Sequence, residues 1–136
     1  MFIVSLKART TRSTLSNAQQ DRTNTEIGRK GEELAANFLS HKGIEIVQLN
    51  FRYGRAEIDI IAIEKGVLLF VEVKYRTSLL YGYPEEFVDA GKKKRIKSAA
   101  EHYIFERNWL SDIRFDIVSI VNIGKKVAIE HFEDCF

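Results

Sequence analysis

The chain holds little of what usually settles a protein's chemistry at a glance. It has one cysteine, Cys135, among 136 residues, which excludes an intrachain disulfide framework and fits a reducing compartment. No apolar run reaches membrane-spanning length, and the apolar start at residues 1–6 is too short for a secretory signal core. A cytoplasmic protein with no membrane partner is expected. No Gly-rich phosphate loop and no Ser/His/Asp arrangement is visible. The three histidines, His41, His102 and His131, stand apart without metal-ligand spacing. The net charge of +2 is too small to name a partner. Its distribution is uneven, since residues 1–30 hold six basic and two acidic side chains, leaving the rest slightly acidic.

Apolar residues make up 45% of the chain, enough for one domain with a real core. Residues 1–24 are rich in Thr, Ser, Asn, Gln and Arg and are expected to form a mobile basic tail. The folded domain is expected over residues 25–136. Thr25 reads as the N-cap of a helix to about His41, with Ile27, Leu34, Ala35, Phe38 and Leu39 at helical spacing. Ile44 to Tyr53 alternates as a strand with a phase change near Gln48 that predicts a bulge. Glu57–Ile63 and Val67–Tyr75 are two apolar strands joined by Glu64-Lys65-Gly66, a hairpin connection with glycine where positive φ is needed. Residues 76–84, with Tyr81, Gly82, Tyr83 and the single proline Pro84, read as a loop. A helix is expected from Glu85 to Arg107, with Phe87, Val88, Ile96, Ala99, Ala100, Tyr103 and Ile104 inward and Gly91 as a point of kinking. Two strands, Ile113–Val121 and Val127–Phe132, complete an αβββαββ order, an α/β layered domain.

The chemistry gathers on the two apolar strands. Strand side chains alternate, so Leu68, Phe70, Glu72 and Lys74 share one face, opposite Val67, Leu69, Val71 and Val73. A Glu and a Lys closing an apolar strand are costly unless paired or used. Glu57-Ile-Asp59 and Glu72-Val-Lys74 each use the i, i+2 spacing that keeps two side chains ~7 Å apart on one face. An acid-x-Lys triplet alone carries no meaning, and the same groups can form a structural ion pair, Glu72–Lys74 or Asp59–Lys74, or a charged sheet edge. The functional assignment rests on context. Mg²⁺ is commonly held by one or two carboxylates plus waters and substrate phosphate. Asp59 and Glu72 can supply those oxygens, and Lys74 can orient water or stabilise charge on phosphoryl oxygens.

Gly91-Lys-Lys-Lys-Arg-Ile-Lys97 places five basic residues in seven. Such a run is often a solvated helix face. Dense charge of one sign repels itself without an anion, so Lys92, Lys93, Lys94, Arg95 and Lys97 are expected to contact phosphate. Arg76, just beyond Lys74, joins this nucleic-acid-binding set. Tyr75, Tyr81 and Tyr83 can stack on unpaired bases or anchor the loop.

Taken in order, the motifs go further. Gly28, Gly31-Glu32-Glu33 and Ala35-Ala36 mark the first helix. Asn50-Phe-Arg52, Glu57-Ile-Asp59, Phe70-Val-Glu72-Val-Lys74-Tyr-Arg76, then Gly82, Pro84, Glu85 and Arg114-Phe-Asp116 follow. This succession, over about residues 26–132, resembles the bacterial YraN-like family of uncharacterised proteins. That family resembles the PD-(D/E)xK nucleases, among them restriction endonucleases and archaeal Holliday-junction resolvases. The resemblance implies a restriction-endonuclease-like fold, a central mixed sheet flanked by helices. It implies Glu32 as the helix-borne acid that completes the site of Asp59, Glu72 and Lys74. Glu33 is the alternative, since one helical step turns ~100° and only one of the two can face the site. Where such proteins show Gly-Glu-Ile-Asp, this chain has Ala56 before Glu57. The implied function is hydrolysis of phosphodiester bonds in DNA, branched or structured DNA included, with Mg²⁺ or Mn²⁺. The alternative is a binding module without turnover. The resolvase analogy favours a homodimer.

Overall fold

A computed structural model describes residues 2–5, 17–77 and 88–136, with side chains described over 26–77 and 88–136. The expected loop residues Tyr81, Gly82, Tyr83 and Pro84, and the expected helical residues Glu85 and Phe87, lie outside the described residues. The elements are β1 (Phe2–Ser5), α1 (Asn17–His41), β2 (Glu45–Tyr53), β3 (Ala56–Glu64), β4 (Val67–Arg76), α2 (Ala90–Arg107), β5 (Ile113–Ile123) and β6 (Lys126–Phe132). They build a six-stranded mixed sheet in the order β1-β6-β5-β4-β3-β2. Only β4 and β5 run parallel. Parallel neighbours need a long crossover, and α2 lies within it.

The sheet has a core on each face. Ile61, Leu68, Phe70, Phe115 and Ile117 gather with Ile96, Ala99, Ala100 and Tyr103 of α2. Ile60, Ala62, Leu69, Val71, Val118 and Ile120 gather with Ala35 and Leu39 of α1. Burial on both faces is why the central strands read as nearly continuous apolar runs. The hairpin between β3 and β4 has Lys65 at φ 49° and Gly66 at φ 80°. Two positive φ values in a two-residue turn match the right-handed twist of the paired strands. The expected bulge in β2 is present, with the register shifting between Ile46 and Gln48.

Four expectations need correction. Residues 2–5, expected within a mobile tail, form an edge strand paired with β6 from Phe2↔Ile129 to Ser5↔Lys126. Phe2-Ile3-Val4 is a short apolar stretch, and its pairing partner lies at the other end of the chain, beyond the reach of local pattern. Helix α1 begins at Asn17, eight residues before Thr25. No proline or glycine stands between Asn17 and Glu26, so nothing in the backbone stops the helix there. Helix α2 begins at Ala90, after the N-cap Asp89, whose side chain accepts the Lys92 backbone N–H at 2.7 Å. Gly91 therefore lies in the first turn and kinks nothing. Ile27, expected inward on α1, is 41% exposed.

Candidate active site

The site begins where β3 and β4 part. Their ladder runs from Glu64↔Val67 to Ile60↔Val71 and stops. One residue on, the Asp59 carboxylate takes over from the backbone: its Oδ2 accepts the Val73 N–H at 2.8 Å. On the other edge of β3, Leu49↔Ile60 and Phe51↔Ile58 pair, while Asn50, between them, adopts φ 53°. A local irregularity of this kind re-aims a side chain. Ile58 and Ile60, two residues apart, accordingly enter the cores on opposite sheet faces. Ala56 takes no positive φ, so a methyl group is accommodated there without backbone strain.

Strand β4 keeps strict alternation, and Glu72 and Lys74 share the α2 side with Leu68 and Phe70. Glu72 is 6% exposed. Its Oε1 lies 3.6 Å from Lys74 Nζ and is hydrogen-bonded by Lys92 Nζ, which enters from the first turn of α2. Asp59, Glu72, Glu57, Arg55, Ala56, Lys92, Arg95 and Ile96 line one cleft of about 220 Å³. Asp59 and Glu72 thus face the same space.

Helix α1 supplies the remaining acid. Glu32 is half-buried and Glu33 exposed, so Glu32 is the residue that faces inward. Oxygens of Glu32, Glu57 and Asp59 lie within 4.8 Å of one another. The approach depends on Gly31, which is buried against Tyr75; a Cβ there would stand 3.3 Å from the Tyr75 Cβ and Cδ2. Glycine inside a helix costs roughly 1 kcal/mol relative to alanine. Its value here is the close approach of helix to strand beside Glu32.

Crowding sets the electrostatics. Burial pushes the Asp59 carboxyl up to about 8, helped by the charges of Glu72, Glu32 and Glu57 and opposed by the Val73 N–H. Burial also raises Glu32, together with the charges of Glu57 and Glu72, against the pull of Asn50 and Arg29. Burial, then the neighbouring Lys92 charge, holds the Lys74 ammonium below its ordinary range. Burial would lower Lys92 too, but its bond to Glu72 and the charge of that carboxylate hold it higher. Among the described residues, no lysine or arginine bridges Asp59. Glu57 is paired with Arg52 at 3.6 Å, but Asp59 and Glu32 form no ion pair among the described residues, and the three acids, all hard oxygen donors, fit Mg²⁺ or Mn²⁺.

The expected residues do not all converge. Asp59, Glu72 and Lys74 come together with Glu32. Asp59 and Glu72 share the cleft, with the oxygens of Glu32 and Glu57 within 4.8 Å of Asp59 and two lysines on Glu72 Oε1. The basic run is divided. Lys92 points into the site, Arg95 lines the cleft, and Lys93 lies over the Phe136 ring, 5.8 Å from its centroid. Lys93, Lys94 and Lys97 line a shallow depression on the outer side of α2. Arg76 is half-buried at the end of β4. Sequence reasoning grouped Lys92 with its neighbours as a phosphate contact and missed its bond to Glu72, and it missed Arg55 as a cleft residue. A signal for Lys92 existed. It falls four residues before Ile96 and seven before Ala99, on the apolar stripe of the helix.

The model of the uncharacterised protein family UPF0102 matches residues 31–120, a span holding Glu32, Asp59, Glu72, Lys74 and Lys92. The chain belongs to that family. The match agrees with the resemblance drawn from the motif order. A UPF0102 protein of Flavobacterium psychrophilum is 40% identical over 111 residues, covering 82% of this chain and 93% of that protein. One from Cytophaga hutchinsonii is 46% identical over 93 residues, covering 68% and 82%. One from Rhodococcus opacus is 43% identical over 116 residues, covering 83% and 98%. Among the described residues, no helix is long and apolar enough to cross a membrane.

Proposed function

We propose that the protein is a metal-dependent nuclease that hydrolyses phosphodiester bonds in DNA, branched or structured DNA included. The observation that carries this reading is the meeting of Asp59, Glu72, Lys74 and Glu32 where β3 and β4 diverge, beside a cleft that Lys92, Arg55 and Arg95 also line. Asp59, with Glu32 and Glu57, would hold Mg²⁺ or Mn²⁺, and Glu72 is the fourth carboxylate available. Bound there, such a cation polarises a phosphoryl oxygen and makes water more acidic.

The chain's own groups divide the rest of the work. Arg55 and Arg95 attract and orient the phosphodiester backbone at the cleft. Lys74, kept less basic than a surface lysine, orients the attacking water or donates to the phosphoryl oxygen that gains charge. Val73, through its N–H, fixes Asp59 in one rotamer, which keeps the acid in place before any ligand arrives. Lys93, Lys94 and Lys97 extend the positive surface along α2 for flanking phosphates, each contact adding about 0.9 to the log–log salt slope of binding.

The test is incubation of the purified protein with Mg²⁺ or Mn²⁺ and a panel of single-stranded, duplex, flap, fork and four-way-junction DNAs. Cleavage is expected with either metal, none in EDTA, and none with Asp59→Asn or Lys74→Ala. DNA binding without any cleavage would instead favour a binding module of the same fold. That second reading draws on the hold of two lysines over Glu72.

A further inference from the structure

Glu72 and Asp59 face one cleft but are managed in opposite ways. Glu72 Oε1 is claimed by two ammonium groups, Lys74 at 3.6 Å and Lys92 in direct hydrogen bond. Asp59 lies with Glu32 and Glu57, their oxygens within 4.8 Å. A divalent cation drawn to those three acids would recruit Glu72 in competition with the two ammonium groups that share its Oε1. Of the two lysines, Lys92 is the freer. Its side chain is 33% exposed against 19% for Lys74. It reaches in from a helix terminus, not from a strand inside the sheet. The place it can move to is also at hand, because Lys92 lines the cleft with Arg55 and Arg95, where a phosphate would meet all three.

We propose that Lys92 is a positioning residue with two alternating partners. It holds Glu72 in the metal-free protein, competes with the divalent cation for that carboxylate, and passes to a substrate phosphate oxygen when the cation takes Glu72. The inference rests on the metal-dependent reading given above. No covalent bond forms or breaks in this exchange. Glu72 trades an ammonium for a cation, and Lys92 trades a carboxylate for a phosphate. Each ligand then improves the site for the other, and by linkage the coupling is reciprocal. A lysine so placed would offset the repulsion among the acids of the metal-free protein and would favour loading of metal and DNA together.

Mn²⁺ binding to the full-length protein, followed by the paramagnetic resonance of free Mn²⁺, tests this without reference to cleavage. Lys92→Met removes the competitor and is expected to tighten Mn²⁺ binding roughly tenfold, the factor that ~1.4 kcal/mol gives. Lys92→Arg, which keeps the charge, and Lys126→Met, an exposed lysine at the start of β6, are expected to bind like the wild type. If Lys92→Met does not fold, Lys92→Gln keeps a hydrogen bond to Glu72 without the charge and is expected to tighten binding in the same direction. Equal or weaker affinity in the folded Lys92 variants, with the wild type still binding, overturns the competition and leaves the metal site standing. Absence of Mn²⁺ binding in every variant overturns the metal-dependent reading itself, and this inference with it.

Discussion

Two aspartates flank the same residue of β4 and meet opposite fates. Val71 is in register with Asp116 of β5 on one side and with Ile60, next to Asp59, on the other. Asp116 is fully buried and fully served. Arg114 donates from Nε at 2.8 Å and Nη2 at 2.9 Å, His131 Nε2 bonds it at 2.7 Å, and the Asp134 N–H donates at 3.0 Å. Lys42 donates to His131 Nδ1 at 2.7 Å, which leaves Nε2 as the nitrogen that donates to the carboxylate. Burial alone would raise Asp116, but these donors from His131, Arg114 and Asp134 bring it down to about 2. Asp59 has one backbone donor and three acidic neighbours, and stands at about 8. Strand chemistry already separates them, since Asp116 has an opposite charge two residues before it in Arg114 and Asp59 a like charge in Glu57. What differs is the balance of donors around the acid. A buried acid with a full set of donors closes a structure, here tying the C-terminal segment to β5. A half-buried acid among other acids is, under the proposed function, the one left open to a cation.

The sharpest test of that contrast is to remove each charge in turn. Asp116→Asn leaves Arg114 without its buried partner and weakens the His131 contact. It should cost about 3–5 kcal/mol in urea unfolding, the usual loss when one member of a buried pair is removed. Asp59→Asn, in EDTA, should leave stability unchanged or slightly higher, because it removes repulsion from Glu72, Glu32 and Glu57. A comparable loss in both variants would break the comparison and return Asp59 to a structural role.

Much of this was legible in the sequence, for reasons that can be named. The alternation of β4 exposed Glu72 and Lys74 because both faces of that strand are buried and charges stand out there. The turn at Lys65-Gly66 was visible because its backbone conformation demands glycine. The choice of Glu32 over Glu33 was not legible, since it depends on Gly31 meeting Tyr75 across forty-four residues of sequence. Nor was the gap at Asp59, which needs Asn50 in a left-handed conformation on the neighbouring strand. Lys92 was hidden by its neighbours: in a run of like charges, composition suggests one shared surface role, while helical phase separates the inward lysine from the outward ones.

A gentler test uses pH, because the two acids should bend the stability curve in opposite directions. The Asp116 carboxyl is lower in the folded protein than its ordinary 3.8. Its contribution is therefore present above about pH 4 and lost as pH falls toward 2, an effect of about 2 kcal/mol. Asp59 is higher in the folded protein, so the folded state holds a proton that the unfolded state has released between about pH 4 and 8. Metal-free stability should fall as pH rises through that window. Thermal melts in EDTA from pH 2 to 9 should show both limbs in the wild type. Asp59→Asn should flatten only the upper limb. An upper limb that persists in Asp59→Asn would mean that other groups titrate there.

The smallest expected effect on stability concerns the glycine that brings α1 to the site. Gly31→Ala gains roughly 1 kcal/mol of helix propensity. It also sets a methyl 3.3 Å from the Tyr75 Cβ and Cδ2. Tyr75 cannot swing away freely, because Asn122 Nδ2 donates to its hydroxyl at 2.9 Å. The two terms oppose, and the net change in stability should be under about 1 kcal/mol. Glu32 is the next residue and moves with the helix, so Mn²⁺ affinity should fall several-fold while the melting temperature barely shifts. Gly28→Ala supplies the control on the same helix. Nothing lies within 4 Å of the methyl it would add, so the helix gains without displacement and metal affinity stays as it was. If both variants bind Mn²⁺ like the wild type, the contact with Tyr75 does not position Glu32. The acid-rich side of the site would then rest on Glu57 and Asp59 alone.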